Sequence, residues 1–403
     1  MKFTFYNSSS LHYGVYSGLL LLLSLSACQN ESSEPFQYWT LPYAGEYVFY
    51  PLAWQELIIL PASCGGAPCL KAVRRQDGEE VWRLQNDMLQ DIFYNTQPHI
   101  SGELLLMSSG RHLVAVSLMS GTIIWTDTHQ SVGDPYLTAT DEQAFRTYPA
   151  IGQGGFEVYQ FQLSNGQKER IQYIPVRNTG SASARPPTPI RLSDSLILVS
   201  PVVDYLLREG THSYLMAWWK SRPTEHHTQQ AYPDNAMGYG ATLPLMAVGQ
   251  RIYGVAHDEV ICYDPVSNVE IWRVRLPRGL LTSRLSYYDG HLYIASEDAV
   301  LHVLDAVTGA MAWEVEIAGT PSRVFHTKDD IFLIGGSDRL LYQISRSRQQ
   351  KAALYQGPKA KPLVPVAHIS EHQALLSDGE LWHSIPLNVL ADSLPVYKKF
   401  SIQ

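Results

Sequence analysis

Hydrophobic and polar residues alternate in short runs along most of the chain. Three runs near its last third, Leu292–Ala295, Val300–Leu304 and Ala312–Ile317, have the period of two that is typical of half-buried strands. The segments between them, Ser296–Asp298 and Asp305–Gly309, have the composition of turns, because an Asp carboxylate accepts backbone N–H groups and Gly tolerates a positive φ. The pattern therefore predicts an all-β protein of short hairpins, with no long helix after the N-terminal segment.

One eleven-residue pattern occurs four times, and each copy ends in a tryptophan. The clearest copy is Val303–Trp313, and the copies in register with it are Ala72–Trp82, Ala115–Trp125 and Cys262–Trp272. Trp82 and Trp125 are 43 residues apart, and Trp272 and Trp313 are 41 apart. A period in the forties is typical of a closed array of four-stranded sheets.

Degenerate copies fill the gaps between the clear ones. Counted together, the units begin near residues 50, 97, 145, 188, 243, 285, 323 and 363. This predicts a single β-propeller of eight four-stranded blades; seven blades stay open, because the fourth and eighth units are weakly defined. Ring closure removes exposed sheet edges, and the aromatic-rich segment Phe36–Phe49 is a candidate for the closing strand. The polar segment Lys220–Gly240 is interpreted as an extended surface loop.

The N-terminus has the features of an export signal. The apolar run Leu19–Ala27 is too short to span a bilayer. It ends in Leu25-Ser26-Ala27-Cys28, which resembles a bacterial lipobox, in which the cysteine becomes the first mature residue and carries lipid; the alternative is an ordinary secretory signal with a chance cysteine. We expect a signal peptide at 1–27, a lipidated N-terminus with a tether and possible closing strand at 28–46, and the propeller at 47–403.

Two further cysteines bracket a predicted hairpin tip. Cys64 and Cys69 flank Gly65–Pro68, and export to an oxidising compartment favours a disulfide between them. The alternative is half of a metal site, but no second Cys/His pair has suitable spacing. Cys262 lies within a strand pattern and is expected to be a small buried hydrophobe.

The run Leu304–Trp313 resembles the tryptophan-docking repeat of PQQ-type β-propellers, whose consensus is Ala/Leu-x-Asp-x-x-Thr-Gly-x-x-x-Trp. The resemblance implies that each tryptophan packs over a turn of the neighbouring blade and holds adjacent sheets together. These positions are then structural. The matching residues are Asp77, Gly78, Trp82, Gly121, Trp125, Asp264, Asn268, Trp272, Asp305, Thr308, Gly309 and Trp313.

Two branches of this family imply different functions. Quinoprotein dehydrogenases hold PQQ over Ca²⁺, are longer, and carry a disulfide between adjacent cysteines. The chain has no adjacent cysteines and no assignable Ca²⁺ ligands or catalytic Asp, so we expect no catalytic, cofactor or metal site, and neither PQQ nor Ca²⁺. The other branch is non-catalytic and is similar to the lipid-anchored propeller of the outer-membrane β-barrel assembly machine.

The sequence therefore predicts a non-catalytic scaffold, lipid-anchored at the outer membrane and facing either the periplasm or the cell surface. Its expected partners are envelope proteins. The net charge of −8 argues against nucleic acid. The alternatives are a propeller that binds a carbohydrate or another small ligand and, less favoured, a PQQ-dependent oxidoreductase.

The adjacent pair Trp218 and Trp219 is the candidate for a ligand or partner surface. Neighbouring residues of a strand face opposite sides. The pair is therefore either a core and an inter-blade tryptophan, or it includes an exposed ring for a protein or glycan. We expect partner-specific surfaces in units three, four and seven, where the docking motif decays.

Overall fold

Eight antiparallel sheets form the blades of the propeller. The structure, a computed structural model, describes residues 38–43, 50–88, 98–176, 182–193, 195–206, 210–235, 245–256, 258–276, 285–296, 298–319, 322–347, 349–355, 363 and 367–387. The predicted signal peptide at 1–27, the lipidation site Cys28 and most of the tether lie outside these residues. No helix among those described is long and apolar enough to cross a membrane.

The first four blades follow one another along the chain. Blade 1 consists of β2 (Leu52–Trp54), β3 (Leu57–Cys64), β4 (Ala67–Arg74) and β5 (Glu80–Leu84); blade 2 of β6 (His99–Ser101), β7 (Leu104–Ser108), β8 (His112–Ser117) and β9 (Ile123–Thr128); blade 3 of β10 (Thr138–Ala139), β11 (Gln143–Pro149), β12 (Gly155–Gln162) and β13 (Lys168–Pro175); and blade 4 of β14 (Ser183–Ala184), β15 (Thr188–Leu192), β16 (Ser195–Leu206), β17 (Gly210–Trp219) and β18 (Arg222–Asn235).

The last four blades complete the ring. Blade 5 consists of β19 (Met246–Val248), β20 (Arg251–Ala256), β21 (Glu259–Asp264) and β22 (Val269–Arg275); blade 6 of β23 (Ser286–Tyr288), β24 (His291–Ala295), β25 (Val300–Asp305) and β26 (Met311–Glu316); blade 7 of β27 (Phe325–His326), β28 (Asp330–Ile334), β29 (Leu341–Ser345) and β30 (Gln350–Tyr355); and blade 8 of β31 (Ala367–Ile369), β32 (Gln373–Ser377), β33 (Leu381–Pro386) and β1 (Trp39–Pro42).

The prediction of an all-β propeller is confirmed, with eight blades rather than seven. First strands of neighbouring blades contact one another, as β6 contacts β10 and β27 contacts β31, so these strands line the centre of the ring. Seven predicted unit starts lie within a few residues of a first strand. The third, near 145, lies in the second strand of its blade, because the two-residue strand β10 has no readable alternation.

The ring closes through the N-terminal strand. β1 pairs antiparallel with β33, from Trp39 opposite Ser384 to Pro42 opposite Leu381. The strand lies within Phe36–Phe49 and completes the blade formed by the last strands of the chain. Closure in this way joins both ends of the propeller by backbone hydrogen bonds.

The hydrophobic core lies between the blades. Between blades 1 and 2, for example, Ile59, Ala72 and Trp82 pack against Leu105 and Val116. The central strands are buried on both faces, which explains why β7 and β8 are nearly continuous apolar runs rather than alternating ones.

The loop predicted at Lys220–Gly240 is wrong over most of its length. Arg222–Asn235 forms β18, a strand of 14 residues and the longest described. Thr224–Thr228 is exposed at every position, so neither face of this part of the strand requires apolar residues. The alternation that identifies a half-buried strand is therefore absent from its sequence.

Candidate functional site

Each docking tryptophan lies against a turn of the next blade. Trp82 of β5 covers Gly121, which lies between β8 and β9, and its Nε1 donates a hydrogen bond of 2.8 Å to the Leu118 carbonyl. A Cβ at Gly121 would lie 2.6 Å from Cδ2 of Trp82, and φ of Gly121 is +69°. Glycine is therefore required both for the turn and for the approach of the ring.

The same geometry recurs at two more junctions. Trp125 covers Gly166 and donates to the Leu163 carbonyl at 2.7 Å. Trp272 covers Gly309 and donates to the Ala306 carbonyl at 3.3 Å. Trp313 packs against the buried cluster between blades 6 and 7, and the turn between the third and fourth strands of blade 7 has no glycine.

The polar residues of the motif hold the turns. Asp305 Oδ1 accepts hydrogen bonds from the Thr308 hydroxyl at 2.7 Å, the Thr308 N–H at 2.7 Å and the Val307 N–H at 3.0 Å, and these bonds lower the pKa of the carboxyl group. Asp264 accepts from the Val266 N–H at 2.9 Å in the equivalent turn.

The Asp264 turn and the Asp77 turn vary this arrangement. Asn268 has a φ of 57° and accepts a hydrogen bond of 2.7 Å from the Tyr263 hydroxyl. Asp77 accepts from the Glu79 N–H at 3.0 Å and pairs with Arg74 at 2.8 Å. Turn formation accounts for these side chains without a ligand.

A fifth docking tryptophan, Trp39, has no counterpart in the sequence motif. Its ring covers Gly78, and its Nε1 donates to the Arg75 carbonyl at 3.0 Å. Trp39 belongs to β1, which occupies the fourth position of blade 8. The repeated motif does not include it, because the strand is separated from the rest of its blade by most of the chain; its sequence signal is the aromatic content of 36–49.

The cysteines form one disulfide and one buried thiol. Cys64 and Cys69 are joined at the tip of the β3–β4 hairpin, with their Cα atoms 5.8 Å apart. Cys262 is buried in β21, and burial raises the pKa of its thiol to about 11. Among the described residues no group of three or more His, Cys, Asp or Glu side chains could hold a metal ion.

The two adjacent tryptophans face opposite sides of blade 4. Trp218 is only 1% exposed and packs with Phe145 and Val158 of blade 3. Trp219 is half-buried against the cluster between blades 4 and 5, and the Arg222 guanidinium carbon lies 6.0 Å from the centre of its ring. Trp218 is thus an inter-blade core residue and offers no ring to a partner or glycan.

The docking series is interrupted between blades 3 and 4. Arg170 of β13 stands where a tryptophan is expected, and its guanidinium pairs with Glu157 at 2.5 Å. In blade 4 the connection between β17 and β18 is only Lys220–Ser221, too short to form the glycine-containing docking turn. Trp218, from the third strand, fills the middle of this junction instead.

A cleft of about 540 Å³ lies at this interrupted junction. The cleft opens on one of the two faces of the ring. This face carries the turns between the first and second strands and between the third and fourth strands of each blade, and we call it the turn face. Its lining residues are Thr140, Glu142, Gln143, Arg191, Ser193, Ser195, Leu196, Lys220 and Ser221. The volume is within the range of 300–1,000 Å³ that is usual for ligand pockets.

The charged groups of this cleft, the blade 3–4 cleft, are only partly paired. Lys220 donates a hydrogen bond of 2.6 Å to Gln143 Oε1, and burial lowers the pKa of its ammonium group against the opposing effect of Glu169 and Glu142. The side chain of Arg191 is exposed and has no hydrogen-bond or ion-pair partner within the described part of the chain.

A second cavity of about 410 Å³ lies between blades 2 and 3. Lys168 there pairs with Asp127 at 2.9 Å and lies 5.3 Å from the centre of the Tyr159 ring. The ring of His129 stacks on Tyr148 at 3.9 Å, and the pKa of His129 is lowered by burial and then by Lys168. Because its main cation already has a carboxylate partner, this cavity is the weaker candidate for a ligand.

Comparison with known proteins supports the predicted resemblance. A family model described as outer membrane protein assembly factor BamB matches residues 218–347, which include all of blades 5 and 6. The search of curated proteins finds no significant match.

Three solved structures are similar in fold. BamB from Moraxella catarrhalis is 11% identical, with a TM-score of 0.56 and coverage of 86% of this chain and 95% of that one. Sqt1 from Saccharomyces cerevisiae is 10% identical, with a TM-score of 0.60 and coverage of 86% and 97%. The computationally designed protein Ika8 is 12% identical, with a TM-score of 0.61 and coverage of 85% and 98%. At these identities the similarity shows the fold alone; the chain is an eight-bladed β-propeller that resembles BamB in sequence over residues 218–347.

Proposed function

We propose that this protein is a non-catalytic, lipid-anchored scaffold that binds other proteins in a cell-envelope complex, with outer-membrane protein assembly as the process it serves. The observation that carries the proposal is the departure of blade 4 from the other blades. Seven sheets have four strands each, whereas blade 4 has five and includes the 14-residue strand β18. A rigid ring with one enlarged blade suits the binding of a partner.

The outer strand of blade 4 has the features of a binding edge. Within the described residues β18 pairs only with β17, so its other edge has free backbone groups. Thr224–Thr228 is exposed on both faces of the strand, and an extended segment of a partner can add to such an edge by main-chain hydrogen bonds. Pro223 and Pro233 lack an N–H group and restrict the pairing to the residues between them.

The proposed location rests on the N-terminal sequence. Leu25-Ser26-Ala27-Cys28 provides a lipidation site, and the polar stretch that follows provides a tether to the propeller. We place the anchor in the outer membrane, with the ring facing either the periplasm or the cell surface. The match of residues 218–347 to the family model of outer membrane protein assembly factor BamB supports this location.

We propose no cofactor. The proposal rests on the sequence, which lacks the adjacent cysteines of quinoprotein dehydrogenases and an assignable ligand set. Incubation of the purified protein with PQQ and Ca²⁺ is expected to give no dye-linked oxidation of alcohols or sugars. Turnover in that assay would contradict a non-catalytic role.

The scaffold is tested by cross-linking in cells, recovery of the anchored protein, and mass spectrometry. The wild type is compared with Thr228→Arg on β18 and with the matched control Thr126→Arg, an exposed threonine on the outer strand of blade 2. We expect a reproducible set of envelope proteins with the wild type and the control, and a reduced set with Thr228→Arg. Recovery of no envelope protein by the wild type would overturn the scaffold.

The anchor is tested separately by metabolic labelling with a fatty acid. The wild type is expected to incorporate the label and to fractionate with the outer membrane. Cys28→Ala is expected to lose both properties, whereas Ser32→Ala, four residues further along the tether, retains them. Label in the Cys28→Ala protein would overturn lipidation at this residue.

A further inference from the structure

We infer that the blade 3–4 cleft binds a carboxylate-bearing peptide segment of a partner protein. This inference names the chemistry of one surface of the proposed scaffold and therefore rests on that function. It concerns the turn face of the ring, and the residues that carry it are Arg191 and Lys220.

The cleft lies at a junction that has no docking tryptophan. At the junction of blades 1 and 2 the indole of Trp82 covers the glycine turn of the next blade. At the junction of blades 3 and 4, Arg170 turns to Glu157 and the short connection Lys220–Ser221 leaves the rim open. The interior of the junction remains filled by Trp218, so the opening is a cleft with a packed floor rather than a gap between loose blades.

The unpaired guanidinium of Arg191 favours an anion at the rim. Arg191 and Lys220 provide two cations; among the described residues Glu142 lies in the lining and Glu169 also acts on Lys220, so Arg191 is the cation of the pair that has no ion-pair partner. A guanidinium without a partner can form two parallel hydrogen bonds to a carboxylate.

The ammonium group of Lys220 is positioned to bind such a carboxylate. Its Nζ is positioned by the hydrogen bond to Gln143 Oε1, which leaves further donors of the ammonium group unused. Partial burial has removed part of its hydration, so an incoming carboxylate replaces lost water contacts rather than competing with a full hydration shell.

The remaining lining indicates a peptide rather than a small free acid. Ser193, Ser195 and Ser221 provide hydroxyl groups that can donate to peptide carbonyls, and the Glu142 carboxylate can accept from a peptide N–H. A single acetate-sized ion would occupy a small part of 540 Å³. Glu142 would also repel a second acidic group, so we expect preference for one acidic residue among neutral ones over a polyacidic run.

The test is an array of acetylated and amidated heptapeptides with one central Glu or Asp, each matched by its Gln or Asn counterpart. The full-length protein in detergent is the probe. We expect the acidic member of the best pairs to bind about tenfold more strongly than its amide counterpart, which corresponds to the value of one charge-assisted hydrogen-bonded contact. The preference should fall as the salt concentration rises.

Three variants assign the preference to the cleft. Arg191→Ser is expected to abolish it, and Lys220→Gln to reduce it. Arg111→Ser is the matched control, because Arg111 is an exposed arginine in the β7–β8 turn on the opposite face of the ring. Arg191→Lys retains the charge but cannot form the bidentate pair of hydrogen bonds, so it is expected to keep only part of the preference. It replaces Arg191→Ser in the test if that variant does not fold.

The outcomes separate this inference from the scaffold function. No preference for acidic peptides, or a preference that survives in both Arg191→Ser and Arg191→Lys, would overturn the assignment. Competition by N-acetylglutamate amide at the same concentration as the peptides would show that a free acid is the ligand and would overturn the peptide. If the wild type recovers envelope proteins but shows no preference for acidic peptides, the scaffold function is retained and the peptide site is rejected. If the preference is present but no envelope protein is recovered, the peptide site is retained and the scaffold function is rejected.

Discussion

The indole of Trp39 lies directly on the backbone of Gly78, and it joins the strand that begins the propeller to the first blade. A Cβ at Gly78 would lie 2.6 Å from Cδ2 of Trp39, and the indole N–H donates to the Arg75 carbonyl. Since β1 is also the outer strand of blade 8, one residue fastens the last blade to the first. The closing contact therefore has the same chemistry as the contacts around the rest of the ring.

Trp39→Ala is expected to lower the free energy of unfolding by about 3–5 kcal/mol, because it removes a buried indole and leaves a cavity at the closure. The matched control is Thr40→Ala at the next position of the same strand. Because this side chain is exposed, its removal should change the free energy of unfolding by less than about 0.5 kcal/mol. Denaturant titration followed by circular dichroism measures both. Equal effects of the two changes would show that Trp39 does not secure the ring.

Gly121→Ala and Gly102→Ala separate steric docking from backbone strain in one blade. Both glycines have positive φ, +69° at Gly121 and +57° at Gly102. The backbone strain of alanine in this conformation should therefore lower the free energy of unfolding by about 1–2 kcal/mol at either position. At Gly102 no atom lies within 4 Å of the new Cβ, whereas at Gly121 the Trp82 ring must move. We expect Gly121→Ala to be clearly more destabilising in the same titration; similar values would mean that the ring adapts without cost.

The thiols should react in a fixed order. Without reductant the folded protein is expected to show no reactive thiol from Cys64, Cys69 or Cys262, because the first two are bonded and the third is buried with its pKa raised to about 11. Denaturation should expose Cys262 alone. A thiol assay with and without reductant tests this order, and a Cys262 that reacts in the folded protein would contradict its burial.

The disulfide itself is expected to contribute modestly to stability. Its loop is short, since the two cysteines are separated by 5 positions, and chain entropy then accounts for about 2 kcal/mol. The double change Cys64→Ser and Cys69→Ser should lower the free energy of unfolding by about that amount under non-reducing conditions. Added reductant should destabilise the wild type and leave the double variant unchanged.

Acid should destabilise the protein through His326. Burial and then the charge of Arg346 lower the pKa of His326 from 6.5 to about 4, and the Arg346 guanidinium donates to Nδ1 at 3.0 Å, so that nitrogen cannot carry a proton. Because the unfolded chain takes up a proton near pH 6.5 and the folded chain does not, the contribution to stability is complete above pH 6.5. It is lost at about 1.4 kcal/mol per pH unit as the pH falls towards 4.

His326→Gln is expected to flatten this dependence, since glutamine keeps an acceptor for Arg346 but cannot bind the proton. Unfolding free energies are measured between pH 7 and 4.5 for both proteins. The difference between the two curves should grow steadily as the pH falls through this window. Parallel curves would show that another group causes the loss.

The repeated motif allowed most of the ring to be predicted, and its two exceptions have separate causes. Asp305, Gly309 and Trp313 are readable because they lie within eleven residues of one another and the pattern recurs along the chain, although the tryptophan that covers Gly309 is Trp272 of the preceding blade. Trp39 carries the same role without a motif, because its blade is assembled from the two ends of the chain. The sequence did not predict β18 because its stretch Thr224–Thr228 is exposed on both faces and has no alternation of apolar and polar residues.

The sequence by itself determined most of the strands, the docking turns and a propeller of eight or seven blades, since period-two alternation and turn-forming Asp and Gly residues are local properties of the chain. Only the tertiary structure decided which residue docks on which turn, which of Trp218 and Trp219 is accessible, and where the ring lacks a docking contact. These outcomes depend on the packing of one blade against the next. The blade 3–4 cleft belongs to this second group, because Arg191 and Lys220 are brought to one rim by the sheet and not by their spacing in the chain.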